Sequence, residues 1–139
     1  MIAFVEGNGS GACEGLADEI HGIFSEDGLL SKSPDFAYRA EQQEMAVEVA
    51  SALEQANVLT VEAGTGVGKS LAYLIPAVKF ALESGKKAVI STHTINLQEQ
   101  LTGKDIPIVR KLLGVDFEAL LLKGRQNYVC PLRLRIALD

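Results

Sequence analysis

Residues 62–70 read EAGTGVGKS, with the apolar run VLTV (Val58 to Val61) before them and the helix-like LAYLIPAVKFAL after them. A strand, a glycine-rich turn and a helix in that order are the frame of a phosphate-binding loop. Glycines allow tight curvature and put no side chain in front of the backbone, so N–H groups from Gly64 to Ser70 can converge on phosphate oxygens. A helix starting near Lys69 aims the positive end of its dipole at the same place. The Lys69 ammonium can reach the outer phosphates, and the Ser70 hydroxyl can hold Mg²⁺. Those two are the candidate catalytic residues; Ala63, Gly64, Thr65, Gly66, Val67 and Gly68 complete the loop. The strict pattern has glycine where this chain has Ala63. The competing reading is a glycine-rich turn with a chance lysine, and the flanking strand and helix weigh against it.

The 139 residues suit one domain able to bury a core, and 47% apolar against 22% charged residues is a globular composition. The longest apolar stretch, Leu71 to Val78, is broken by Lys79 and falls well short of the ~20 residues of a membrane span. The N-terminal MIAFVEGNGSG lacks a basic leader and a long apolar region, so no secretory signal is expected. Cys13 and Cys130 make no disulfide framework, and a reducing cytoplasm is the expected setting. The net charge of −5 argues weakly against a nucleic-acid partner, but the charge is unevenly spread. Residues 1–103 hold 6 Lys/Arg and 14 Asp/Glu, whereas residues 104–139 hold 7 and 4. The basic quarter, with Lys123, Arg125, Arg133 and Arg135, can contact phosphates or can simply be a solvated helix face.

Periodicity predicts a short helix over Leu16 to Phe24, with Leu16, Ile20, Ile23 and Phe24 on one face. Ser25 to Phe36 is turn-rich, and Pro34 bars a helix there. Arg39 to Gln55 reads as a helix with Met45, Val49, Ala52 and Leu53 at helical spacing, ended by Asn57. Val58 to Val61 is then the first core strand. Ser70 to Ser84 forms a helix stopped by Gly85, with Pro76 near its first turns or kinking it. Lys86 to Thr92 and Phe117 to Leu122 are the next buried strands. Thr94 to Leu101 and Ile106 to Leu113 are helical, Pro107 opening the second, and a last helix follows Pro131. Alternating strands and helices imply an α/β fold, a parallel sheet with helices on both faces and right-handed crossovers.

A second acidic strand, which a P-loop ATPase uses to hold Mg²⁺, is not evident. The nearest sequence, LLGVD (Leu112 to Asp116), reads better as a helix end and turn because Gly114 interrupts it. The terminal LRLRIALD stops within a periodic pattern, so the chain is expected to be part of a longer polypeptide. Gly7, Gly9 and Ala12 fit a dinucleotide fingerprint, but no second strand with a terminal carboxylate follows, and a loop is the better reading. His21 and His93 share no metal-ligand spacing. His21 belongs on the exposed side of its helix, while His93 falls just past the second strand, at the sheet edge where ligands bind in such folds. Thr92, His93, Thr94 and Gln98 put donors suited to a sugar–phosphate backbone in one stretch; helix capping by Thr92 or Thr94 is the alternative, and both can hold. Read alone, Cys130 before Pro131 is a small buried residue.

Four motifs in order, YRAEQQEMA, EAGTGVGKS, STHTINLQEQL and KGRQNYVCP, resemble the DinG/XPD-like iron–sulfur DNA helicases of superfamily 2, the DinG type above all. The resemblance runs from about Phe36 to Cys130, and alanine at the Ala63 position is common in that superfamily. It implies an incomplete RecA-like P-loop domain. Residues 1–35 would be an extension and loop, 36–122 the first part of the ATP-binding domain, and 123–139 the start of an iron–sulfur insertion. It implies that Arg39 and Gln42 read adenine, Gln42 through its amide and Arg39 by stacking. Thr92, His93, Thr94 and Gln98 would grip single-stranded DNA. Cys130 would be the first of four cysteine ligands of a [4Fe–4S] cluster, an incomplete set here, and Cys13 has no counterpart. ATP, Mg²⁺ and the cluster are the implied cofactors, single-stranded DNA the implied partner, and a monomer working in DNA repair the implied state. A P-loop ATP-binding module that does not act on nucleic acid remains the alternative.

Overall fold

A computed structural model describes residues 15–34 and 36–138. The readings made for Gly7, Gly9, Ala12 and Cys13 lie outside the described residues. Helix α1 spans Leu16–Phe24, α2 spans Ala40–Gln55 and α3 spans Lys69–Ser84. Helix α4 (Ile95–Gln100) runs through a π-helical turn (Leu101–Asp105) into α5 (Ile106–Leu113). A 3₁₀ turn (Arg125–Asn127) precedes α6 (Pro131–Leu138).

The helices close their backbone bonds locally, though not every cap is local. Helix α1 buries the expected stripe of Leu16, Ile20, Ile23 and Phe24. Its N-terminal residue, Gly15, supplies no side-chain cap. Glu54 of α2 takes that place, accepting from the backbone N–H groups of Leu16 and Ala17. Helix α2 ends on Ala56 in the left-handed region (φ 54°), and the Asn57 N–H returns to the Ala52 carbonyl oxygen at 2.9 Å. Gly85 and Gly114 close α3 and α5 in the same conformation.

Helix α3 is the centre of the core. Leu71, Ala72, Leu74, Ile75, Pro76, Val78 and Ala81 are buried along it, so Pro76 lies inside the helix rather than at its start. Helices α1 and α2 pack on one side of α3, and the π turn and α5 bring Leu101, Ile106 and Val109 to it. Removing a Leu or Ile side chain from water contributes about 1.5–3 kcal/mol, so this cluster is the main source of stability. Lys79 ties α1 to α3, with Glu19 at 2.8 Å and Glu83 at 2.9 Å.

The most buried residues of α2 are Gln42, Ala46 and Ala50, while Met45, Val49, Ala52 and Leu53 are half-buried, Met45 and Leu53 against the core. Small residues let α2 approach α1 and α3 closely. The larger apolar ones line a cleft of about 350 Å³ with Leu59 and Val61. One expectation needs correction: the parallel sheet is not formed among the described residues, where 57–64, 85–92 and 115–124 contain no paired strand. Val58 is 97% exposed and Val89 60%. A helix satisfies its backbone within one segment, but a strand exists only through neighbours, and in doubly wound sheets consecutive strands need not be adjacent. Of the three segments, Phe117 alone has its side chain fully in the core, where the Arg110 guanidinium donates to its carbonyl oxygen and sits 5.0 Å from the ring centroid.

Candidate nucleotide-binding site

The phosphate loop is shaped by its glycines. Gly66 (φ 84°) and Gly68 (φ 87°) lie in the left-handed region, and Gly68 is also the residue from which α3 starts. At Gly64 and Gly66 an added Cβ would meet nothing within 4 Å, so the concave side of the loop is open. Lys69 folds over that concavity, its Nζ donating to the carbonyl oxygens of Ala63 (2.9 Å) and Gly64 (2.5 Å). An ammonium held by carbonyl dipoles at the mouth of a glycine loop, at a helix N-terminus, is a site for anionic oxygens. The donor set fits a nucleotide phosphate tail with Mg²⁺: backbone N–H groups and Lys69 for the phosphates, the Ser70 hydroxyl for the metal.

Gln42 and Arg39, separated from the loop by over twenty residues in sequence, both reach it. The Gln42 side-chain Nε2 donates to the Gly68 carbonyl oxygen at 2.9 Å, and Gln42 is buried. The Arg39 guanidinium donates to the Gly66 carbonyl oxygen. Arg39 is the cap residue of α2, in extended conformation, which turns its side chain off the helix axis toward the loop. Tyr38, in the same motif, donates its hydroxyl to Gln43 Oε1 at 2.9 Å. The two residues expected to meet a base therefore clasp the glycine loop.

The stretch expected to grip a nucleic-acid strand divides. The Thr94 hydroxyl caps α4, accepting from Leu97 N–H at 3.3 Å. The Thr92 hydroxyl donates to the Thr94 carbonyl oxygen at 3.4 Å, and His93 is exposed. Gln98 is turned inward, its Oε1 buried with no hydrogen-bond partner. Cys130 is exposed, against its reading as a small buried residue. Among the described residues no three His, Cys, Asp or Glu side chains come together as a metal site, so Cys130 alone cannot hold a cluster.

One contact had no sequence signal. The Tyr73 phenol lies within electrostatic reach of the Ser70 hydroxyl and the Asp105 carboxylate. Burial raises its pKa, Ser70 lowers it and Asp105 raises it, for a net upward shift that keeps the phenol protonated. Asp105 is itself buried, at 5% exposure.

Residues 40–127 match the DEAD/DEAH box helicase family. The chain belongs to that family. It is 48% identical over 118 residues to the ATP-dependent DNA helicase YoaA of Haemophilus influenzae, covering 84% of this chain and 18% of that protein. It is 43% identical over 108 residues to the ATP-dependent DNA helicase DinG of Escherichia coli, covering 76% and 15%. With DinG of Photobacterium profundum it shares 41% over 113 residues, 78% and 16%. The chain thus spans less than a fifth of the length of these curated relatives. No solved structure matches it. No helix among the described residues is long and apolar enough to cross a membrane.

Proposed function

We propose that this chain is the ATP-binding part of a DNA helicase that couples ATP hydrolysis to movement along single-stranded DNA and duplex opening, in DNA repair. The observation that carries the reading is the loop at 63–70, closed over by Lys69 and clasped by Gln42 and Arg39. In that reading Lys69 and the loop N–H groups bind the β- and γ-phosphates, Ser70 holds Mg²⁺, and the metal neutralises charge as water attacks the γ-phosphorus. Gln42 and Arg39 set the loop's shape and sit where they can also meet the base. Thr92, His93, Thr94 and Gln98 form the strand-gripping region, with His93 and Thr94 exposed. Residues 58–61, 86–92 and 117–122 become strands of a RecA-like parallel sheet when neighbours flank them, which the apolar exposure of Val58 and Val89 favours. The boundaries at 35 and 122 separate an N-terminal extension, the first part of the ATP-binding domain and the start of a cluster insertion. Cys130 contributes one thiolate to a [4Fe–4S] cluster whose other ligands this chain does not supply. The protein works in the cytoplasm as a monomer.

The test is ATP hydrolysis by the full-length helicase carrying this chain, with and without single-stranded DNA, wild type against Lys69→Ala. The expected result is a DNA-stimulated ATPase in wild type and a loss of at least about 100-fold in the variant. A Lys69-dependent ATPase indifferent to DNA would instead favour a nucleotide-binding module with no nucleic-acid substrate.

A further inference from the structure

A groove that the nucleotide site does not use runs between the turns after α1 and one face of α5, and it encloses about 370 Å³. Leu29 and Phe36 line it from the turns, Ile108 and Leu112 from α5. Phe36, Ile108 and Leu112 pack against the core with part of their surface still open, and Leu29 is 48% exposed. Lys32 stands on one wall and Lys111 on the other. Both are exposed, and neither is ion-paired among the described residues. No carboxylate among the described residues lines the groove. The cleft between α2 and the phosphate loop is the opposite case, lined by Glu41, Glu44, Glu48 and Glu62. In a chain of net charge −5, an apolar groove rimmed by two lysines and no acid runs against the composition.

The groove is preformed. The turns close on their own backbone: Leu30 N–H donates to the Ile23 carbonyl oxygen at 3.1 Å, Lys32 N–H to that of Gly28 at 3.2 Å and Phe36 N–H to that of Ser33 at 3.1 Å. A Cβ on Gly28 would lie 2.5 Å from the carbonyl oxygens of Gly22 and Ile23, so the turns are pressed onto the end of α1. Leu30 is buried in the core and pins them there. A wall held in this way does not have to be ordered when something docks against it, which spares affinity.

We propose that this groove docks a short segment of a partner protein, one that carries a large apolar side chain flanked by carboxylates. The apolar walls take the side chain, and Lys32 and Lys111 meet the carboxylates from either side. A nucleic-acid strand would use the two lysines but leave the apolar walls idle, since phosphates are held by charged and polar donors. So small a contact is transient, and charge attraction at its rim makes it sensitive to salt. None of the lining residues belongs to the phosphate loop or to residues 92–98, so the inference is independent of the helicase reading.

The probe is a phage-displayed library of random peptides, selected on the full-length protein that carries this chain. The enriched sequences are expected to combine Asp or Glu with Leu, Ile or Phe. A synthetic peptide of the leading sequence is then titrated by fluorescence anisotropy against wild type, Lys32→Glu, Lys111→Glu and Leu29→Asp. Each variant is expected to weaken binding at least about tenfold, with the thermal midpoint, basal ATPase and affinity for single-stranded DNA unchanged. Wild-type affinity should fall several-fold between about 50 and about 300 mM NaCl. A peptide with its acids replaced by lysine should bind Lys32→Glu/Lys111→Glu better than wild type. Should Leu29→Asp not fold, the two lysine variants decide the matter. No enrichment, enriched sequences without acids, or a peptide that binds every variant as it binds wild type overturns the proposal. A loss of DNA affinity in the lysine variants with peptide binding intact also overturns it and assigns the groove to nucleic acid.

Discussion

The amide of Gln42 and the carbonyl oxygen of Gly68 are 2.9 Å apart, although 26 residues separate them in the chain. That single bond joins the first turn of α2 to the residue from which α3 springs. It makes the shape of the phosphate loop depend on where α2 sits. The Arg39 bond to Gly66 does the same one step earlier in the loop. A loop of glycines has little stiffness of its own, and these two side chains hold it in its observed form.

Gly68→Ala is expected to impair nucleotide binding for a reason that Gln42 cannot relieve. A Cβ there would lie 2.4 Å from Gln42 Nε2, but that is the mobile end of a side chain. The φ of 87° is the firmer obstacle, costing an L-residue about 1–2 kcal/mol. Titration with Mg²⁺ and ATP should show affinity reduced about tenfold or more. Adding Gln42→Ala should not restore it; recovery in the double variant would mean that the clash, not the backbone, was the cause.

Ala56→Gly is expected to stabilise the protein. Ala56 ends α2 at φ 54°, where glycine is the preferred residue. The gain should be about 0.5–1 kcal/mol, read as a higher urea midpoint with unchanged slope. A drop in midpoint would show that the α2 terminus is not held in this conformation in solution.

Glu54→Ala should cost about 1 kcal/mol, the usual worth of a helix N-cap. The Glu54 carboxylate caps α1 from another helix, so the loss should appear first as weaker amide-exchange protection in residues 16–24. Uniform loss of protection across α1, α2 and α3 would mean that the capping bond is not what the substitution removes.

Stability should fall at high pH. Burial lowers the Lys79 pKa, but the bonds from Glu19 and Glu83 outweigh it and the pKa is raised overall. Tyr73 is raised as well, with burial the largest cause. A pKa that is higher in the folded state means stability fully present below the unfolded value and lost as pH climbs through the folded one. Both unfolded values lie near pH 10, so chemical denaturation followed from pH 8 to 11.5 should show stability declining from about pH 10 upward. Lys79→Met with Tyr73→Phe should flatten that decline; an unchanged slope would assign it to other groups.

Much of the site was legible because its causes are local. The order of apolar run, glycines, Lys69 and Ser70 specifies a turn at the start of a helix whatever surrounds it. The α1 stripe and the Gly85 stop follow from helical spacing and from left-handed backbone freedom, again within a few residues. Gly114 ends α5, as reading LLGVD as a helix end requires. The π turn between Gln100 and Ile106 carried no such signal, since Thr102 to Asp105 read only as a gap between two helices.

The sequence by itself determined the phosphate loop, its helix and the helicase family to which the chain belongs, because backbone curvature, capping and helical bonds close within short stretches. The tertiary structure alone decided that Gln42 and Arg39 hold the loop, that Gln42, Ala46 and Ala50 are the fully buried residues of α2, and that Asp105 lies in the core. Each of those outcomes depends on which helix faces which, and no local periodicity encodes that. The strand segments show the same division: their composition suits a sheet, but pairing needs a neighbour, and a neighbour is a property of the whole fold.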